Sequence, residues 1–412
     1  MRGVWAIVFG AALAAAPQDS GLPPELLLLA KVKLHASETL DRLPNYTCIE
    51  TIERSARMLP AKKFRLSDTL RLEVALVDGT ELFAWPGAKK FETRDLRDMV
   101  QQGAIGNGDF ALFAKSVLQS GAPTYKYQGE TSLDGTPAFK WDFRVSVLSS
   151  GYHLKIGDQQ GMAGFHGSFW ADAKTLDLLR LEFEAEDIPT NLDLSRTFSR
   201  MDYSRRKIGD SEFLLPIASD LTLVDMRGNE KRNRMTFSDC RQYVGESVLR
   251  FDEGPAVEAS APVKTAPLVD LPVGLGLVTA LDAAIDLGRA SIGDPVRATL
   301  TENAKIKRKT IVPKGAVLSG RIVEVQRTAG IPYVTLQFTE LEWPDGRSVF
   351  TAVLDSTAIY PLWARTGLAR SGGSSLSPAL RPGGVRLSIP SSSKIGAGLG
   401  LFWRMEDSSA NR

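Results

Sequence analysis

The chain has 412 residues, 43 % of them hydrophobic and 24 % charged, which is the make-up of a folded soluble protein and excludes a chain disordered throughout. Fifty Lys and Arg against 48 Asp and Glu leave a formal charge of +2, so no global field draws the protein to nucleic acid or to an anionic membrane. Any such binding must be local.

Met1-Arg2 followed by the apolar run Gly3 to Ala16 predicts a secretory signal over residues 1–14, cut after Ala14. The run is shorter than the ~20 residues of a membrane-spanning helix. The mature chain is therefore expected outside the cytoplasm, in the periplasm or beyond. In an oxidising compartment the two cysteines, Cys48 and Cys240, invite a disulfide. Strand alternation puts Cys240 on the face opposite Met235 and Phe237, so the bridge needs either a bulge near Asp239 or an outer-face position.

Pro24 to Leu43 predicts a helix, with a broad apolar stripe at Leu26, Leu27, Leu29, Val32, Leu34 and Leu40, ended by Pro44. From Tyr46 the period becomes two. Leu70, Leu72, Val74 and Leu76 alternate with polar neighbours, as do Phe139, Trp141, Phe143, Val145 and Val147, then Leu179, Leu181 and Phe183. Asp78-Gly79 and Asp134-Gly135 separate these runs as hairpin turns. Asp95 to Gln119 predicts two short helices about a Gly103 to Gly108 loop, and strands at Ser211–Met226 and Arg232–Val244 close the region.

Residues 251–271, rich in Pro, Ala and Val, predict a linker between a first domain (15–250) and a second (272–412). The second reads as strands punctuated by Pro and Gly, among them Val317 to Gln326 and Tyr333 to Leu341, with a mobile loop expected at 370–384. The predicted class is mostly β: a half-open, antiparallel, barrel-like sheet with packed helices, then a smaller β-barrel.

No HExxH, GxSxG, GxxxxGK[ST] or CxxC signature occurs, so neither a metal, a cofactor nor a catalytic set is predicted. His153 and His166 could meet on one hairpin, but imidazole on a solvated sheet face is the plainer reading. Glu182 with Glu184, and Glu340 with Glu342, share strand faces and read as solvated edges. Basic clusters at Arg196 to Lys207, Arg227 to Arg234 and Lys305 to Lys309 read the same way, with weak binding to anionic lipid or polymer as the sharper alternative. No nucleic-acid partner is expected.

Two resemblances add to this. The helix followed by long aromatic-faced strands over 24–244, with Leu82-Phe83-Ala84-Trp85-Pro86-Gly87, is similar to the half-open β-barrel of periplasmic lipoprotein-carrier proteins. That resemblance implies an apolar cavity lined by Leu72, Trp141, Phe143 and Phe183; an ordinary packed core is the alternative. In the second domain, Leu277-Val278-Thr279-Ala280-Leu281, Gly293-Asp294-Pro295-Val296-Arg297-Ala298 and Trp343-Pro344-Asp345-Gly346-Arg347 flank Ile311-Val312-Pro313-Lys314-Gly315-Ala316-Val317-Leu318-Ser319-Gly320. Together they resemble the β-barrel domain of conjugal-transfer, type IV secretion core-complex subunits, which implies a fold and an envelope location.

The expected function is therefore a non-enzymatic envelope protein that binds a lipid or another hydrophobic ligand in its first domain and offers its barrel to an envelope protein partner. Two alternatives stand beside it: an assembly component of an envelope or secretion complex, and a hydrolase with a nonlocal site.

Overall fold

The computed structural model describes residues 22–88, 91, 112–156, 159–243, 266–327, 331–355, 375–379, 381–388 and 394–406. The predicted signal, residues 251–265 of the predicted linker, and the first of the two helices expected in Asp95–Gln119 lie outside the described residues. The fold is mostly β, with two large antiparallel sheets and helices packed on the first.

In chain order the first part comprises α1 (Pro24–Asp41), β1 (Tyr46–Arg57), β2 (Arg65–Val77), β3 (Thr80–Ala84), α2 (Leu112–Leu118), β4 (Thr124–Leu133) and β5 (Thr136–Val145). There follow β6 (His153–Ile156), β7 (Gln159–Met162), β8 (Gly164–Asp172), β9 (Leu178–Glu186), β10 (Arg196–Ile208), β11 (Ser211–Val224) and β12 (Glu230–Gln242). Ten of these strands form one sheet in the order β3-β2-β1-β12-β11-β10-β9-β8-β5-β4, with β6 and β7 as a separate hairpin. The last strand thus returns to pair with the first inside the sheet, as its third and fourth strands, and the chain runs from one edge, β3, to the other, β4, through the segment that holds α2.

Cys48 on β1 and Cys240 on β12 form a disulfide at that seam. The expected bulge is present: Thr47 faces Arg241 and Ile49 faces Ser238, so β12 carries one extra residue there, and Asp239 takes a positive φ of 50°. The bulge turns Cys240 inward, against the core that also holds Met235 and Phe237.

The helix α1 departs from the expected broad stripe. Only Val32, Ala36 and Leu40, at a spacing of four, are fully buried, while Leu26, Leu27 and Leu34 are exposed. The four-residue ridge seats the helix on the sheet, with Leu28 and Leu29 partly buried beside it, and Leu26, Leu27 and Leu34 face away.

The second part is a nine-stranded sheet. Its path runs from Ala352–Leu354 through Gly400–Met405, Gly276–Leu281, Pro295–Leu300, Val317–Gln326, Tyr333–Trp343 and Gly384–Ser388 to Ser375–Pro378, and the ninth strand, Gly346–Val349, pairs off this path with Tyr333–Trp343. The two ends meet where Gly383 N donates to Ala352 O at 2.6 Å, and Trp403 fills the interior against Phe338 and Phe350. Ser375–Pro378, within the stretch expected to be a mobile loop, pairs with Gly384–Ser388. Residues 266–269, at the end of the predicted linker, lie along Gly346–Val349: Val269 N donates to Arg347 O, and Arg347 N to Pro267 O.

The two sheets touch at β2. Arg71 N donates to Ile292 O at 2.8 Å and Ile292 N to Thr69 O at 2.7 Å, a short parallel bridge across the junction. The Arg71 guanidinium pairs with Asp294, and the Arg321 guanidinium lies over the Trp85 ring at 5.4 Å. Gly293, inside the Gly293-Asp294-Pro295 motif, has φ +100°, and a Cβ there would stand 2.3 Å from Arg71 O and 2.6 Å from the Trp85 ring. Part of what reads as a barrel motif is therefore the contact that seats the barrel on the first sheet.

Candidate functional site

Alternation along β5, β8 and β9 delivers one aromatic face. Trp141 and Phe143 from β5, Phe165 and Phe169 from β8 and Phe183 from β9 are all buried in one cluster with Met201 and Leu214. Trp141 stacks on Phe169 at 5.1 Å between ring centroids, and Phe165 meets Phe183 edge-on at 5.7 Å. The cover over this face is thin. It consists of the ridge of α1 with Leu28 and Leu29 partly buried beside it, Tyr152, which meets Phe165 and Phe183 edge-on, and, from α2, Ala114, Val117, Leu118 and Phe113, whose ring stacks on Phe183 at 3.9 Å.

Polar links hold the cover at its margins. His35 Nε2 on α1 lies 2.8 Å from Asp177 Oδ1 at the start of β9, and Arg205 on β10 donates to both oxygens of the same carboxylate at 2.7 Å. Burial pushes the Asp177 carboxyl upward, but the hydrogen bonds from Arg205 and His35 outweigh it and hold the group below the usual carboxylate range. Gln119 Nε2 reaches Asp41 Oδ1 at 3.1 Å, tying the end of α2 to the end of α1. The Tyr125 hydroxyl donates to Val117 O, and burial raises that phenol to about 12.

Of the four residues expected to line a cavity, the structure brings Trp141, Phe143 and Phe183 together and places Leu72 in an adjoining cluster with Tyr46, Cys48 and Ile52. All four side chains are packed against protein. Sequence reasoning left out Phe113, Phe165 and Phe169 as members of the face. The two β8 residues carry a readable signal, since Phe165 and Phe169 share a face with Gly167 and Ala171 at period two; the stacking of Phe113 depends on where α2 lands.

On the outer, polar side of the same strands lies a groove of about 690 Å³, lined among others by Asp142, Arg144, His166, Glu182 and Glu184. Most of its charges are already matched. Arg144 donates to Glu186, Arg196 forks onto Glu184, Ser168 Oγ donates to Asp142, and His166 Nδ1 lies 3.3 Å from Glu186. Burial raises the Glu182 carboxyl, with Arg180 4.0 Å away. His166 and His153 do not share a hairpin: His153 pairs across β6–β7 with Met162, and its Nδ1 lies 3.0 Å from Gly151 O. Among the described residues no group of three or more His, Cys, Asp or Glu is placed to hold a metal ion. A second cavity, of about 970 Å³, opens at the junction of the two sheets between Arg71 and Pro86 on one side and Asp286, Arg289 and Arg297 on the other.

No protein-family model and no curated protein matches the sequence. Among solved structures the chain is similar to a DUF1329 family protein from Desulfovibrio piger, at 13 % identity and a TM-score of 0.31, covering 54 % of this chain and 94 % of that one. It is similar also to a LolA superfamily protein from Nitrosomonas europaea, at 12 % identity and a TM-score of 0.29, covering 52 % and 94 %. A third is ComB10 of the Com type IV secretion system of Helicobacter pylori, at 13 % identity and a TM-score of 0.20, covering 33 % and 86 %. Among the described residues no helix is long and apolar enough to cross a membrane.

Proposed function

We propose that the protein is an exported, non-enzymatic carrier that accepts an apolar or amphipathic ligand on the aromatic face under α1 and α2, and that its barrel serves contacts with an envelope protein. The observation that supports this most is the thinness of the cover over an unusually aromatic sheet. A fully buried Val or Leu is worth about 1.5–3 kcal/mol and each buried methylene about 0.8 kcal/mol. With Val32, Ala36 and Leu40 fully buried and Leu28 and Leu29 partly so, α1 holds by something on the order of 5–10 kcal/mol. An acyl chain of about twelve methylenes laid on the same rings gains roughly 10 kcal/mol. The two are of similar size, so a ligand can compete with α1 for the face, and the links at Asp177 and Asp41 set where α1 returns.

The disulfide at the β1–β12 seam fits a protein that folds in an oxidising compartment and supports a periplasmic or extracellular location. In the outer groove Arg144 and Arg196 are already paired with Glu186 and Glu184, which supports the non-enzymatic reading over a hydrolase. Native mass spectrometry of the mature chain from its own envelope is the test. A retained lipid or acylated adduct, together with a change in tryptophan emission when a stripped sample takes up a long-chain fatty acid, is the expected result. Bare protein that leaves the emission unchanged would end the carrier reading.

A further inference from the structure

We infer that the tips of the β1–β2 and β11–β12 hairpins form a docking surface for an anionic phospholipid bilayer. Register places both tips at one end of the ten-stranded sheet, since Arg57 faces Glu230 and Glu230 faces Val224. They also touch: Leu59 N donates to Asn229 Oδ1 at 3.1 Å, and a Cβ on Gly228 would lie 3.1 Å from Leu59 Cδ1. On this joined tip Met58, Leu59 and Met226 are 56 %, 60 % and 66 % exposed.

Single exposed apolar residues need no explanation, but three on two converging tips, ringed by cations, form a patch. The other end of the sheet shows the contrast. Its turns, at Asp78-Gly79, Asp134-Gly135, Ala173–Asp177 and Gly209-Asp210, carry no exposed large apolar side chain.

Charge selects the partner. Lys62, Lys63, Arg65 and Lys231 are exposed and form no ion pair among the described residues. The nearby carboxylates are engaged: Glu230 with Arg57, Asp68 with Arg54, and Asp225 with Asn229 and the backbone of the turn. The Phe64 ring lies near both Arg57 and Arg232, which stiffens the base of the tip. Asp193 in the adjoining β9–β10 loop is exposed, so the basic sector ends there and the approach is tilted towards β1 and β2. A small apolar tip set in unmatched positive charge fits the headgroup region of a bilayer that contains anionic lipid. The surface is distinct from the face under α1, so it stands or falls separately from the carrier reading.

The experiment is co-sedimentation of the full mature chain with phosphatidylcholine vesicles with and without phosphatidylglycerol. Binding is expected to the anionic vesicles and to weaken as salt is raised. Each Lys or Arg near an anionic surface is worth about fivefold, so Lys62→Glu/Lys63→Glu/Lys231→Glu should weaken binding on the order of 100-fold or more. Met58→Ser/Leu59→Ser/Met226→Ser should weaken it by at least about tenfold. Both sets are exposed, so circular dichroism should report an unchanged fold. Leu26→Ser/Leu27→Ser/Leu34→Ser, on the exposed side of α1, should bind as the parent does. The inference is overturned if the parent ignores anionic vesicles, if either tip variant binds as tightly as the parent, or if it is the α1 variant that loses binding.

Discussion

Replacing Gly293 by Ala should loosen the seating of the barrel on β2 and lower the stability of the whole chain. At φ +100° an L-residue meets the backbone crowding that costs roughly 1–2 kcal/mol in left-handed conformations. The added methyl also falls 2.3 Å from Arg71 O and 2.6 Å from the Trp85 ring, and neither a backbone carbonyl nor a packed indole can yield cheaply. Overpacking of this kind costs about 1–3 kcal/mol more, so the total is about 2–5 kcal/mol. Gly315 provides the control, because it sits at φ +90° with nothing within 4 Å of its would-be Cβ. Gly315→Ala should therefore show only the conformational part, about 1–2 kcal/mol. Urea unfolding compares the two. Amide exchange locates the effect, since the protection of Arg71 N and Ile292 N rests on the two bonds across the junction. If Gly293→Ala is no more destabilising than Gly315→Ala and those two amides exchange as before, the junction is not held at this contact.

Reducing the Cys48–Cys240 bridge, which spans 192 positions, should cost up to about 5 kcal/mol, read as a fall in the urea midpoint when reductant is added; an unchanged midpoint would mean the seam holds without it. Phe183→Ala removes the ring on which Phe113 stacks and should destabilise by about 3–5 kcal/mol, whereas Phe198→Ala, on the half-buried outer side of β10, should cost clearly less. Thermal melts of the pair check this ordering. The Asp177 carboxyl is held below its ordinary value, so the stability it contributes is present above the unfolded value near about 3.9 and is lost as pH falls through the folded value. Asp177→Asn should therefore flatten the acid limb of a stability-versus-pH profile below about pH 4, and an unaltered limb would remove Asp177 from the account.

Much of the fold is legible in the sequence because burial on a strand is a local, alternating property. Trp141, Phe143 and Phe183 are readable as inward residues from their neighbours alone, and Asp78-Gly79 marks its hairpin without help from the rest of the chain. The pairing of Cys48 with Cys240 and the bulge at Asp239 are also within reach, since two cysteines allow one bridge and alternation then demands a correction of register. Sheet order is not local. That β12 returns beside β1, and that β3 and β4 end at opposite edges, follows from contacts between residues far apart in sequence, and the same order separates Leu72 from the rings it was expected to join.

The helix shows the same divide. Its existence is written in the apolar spacing of Pro24 to Leu43, but the sheet's shape chose Val32, Ala36 and Leu40 for burial and left Leu26, Leu27 and Leu34 outside. Gly293 reads as one glycine among 36, and only the approach of Arg71 and Trp85 from the other sheet makes it irreplaceable. His35, Asp177 and Arg205 likewise have no motif. Period and turn chemistry depend on a few consecutive residues and are therefore settled by sequence; closures, covers and junctions are made by surfaces that meet only after the strands have been ordered, and the tertiary structure alone decides them.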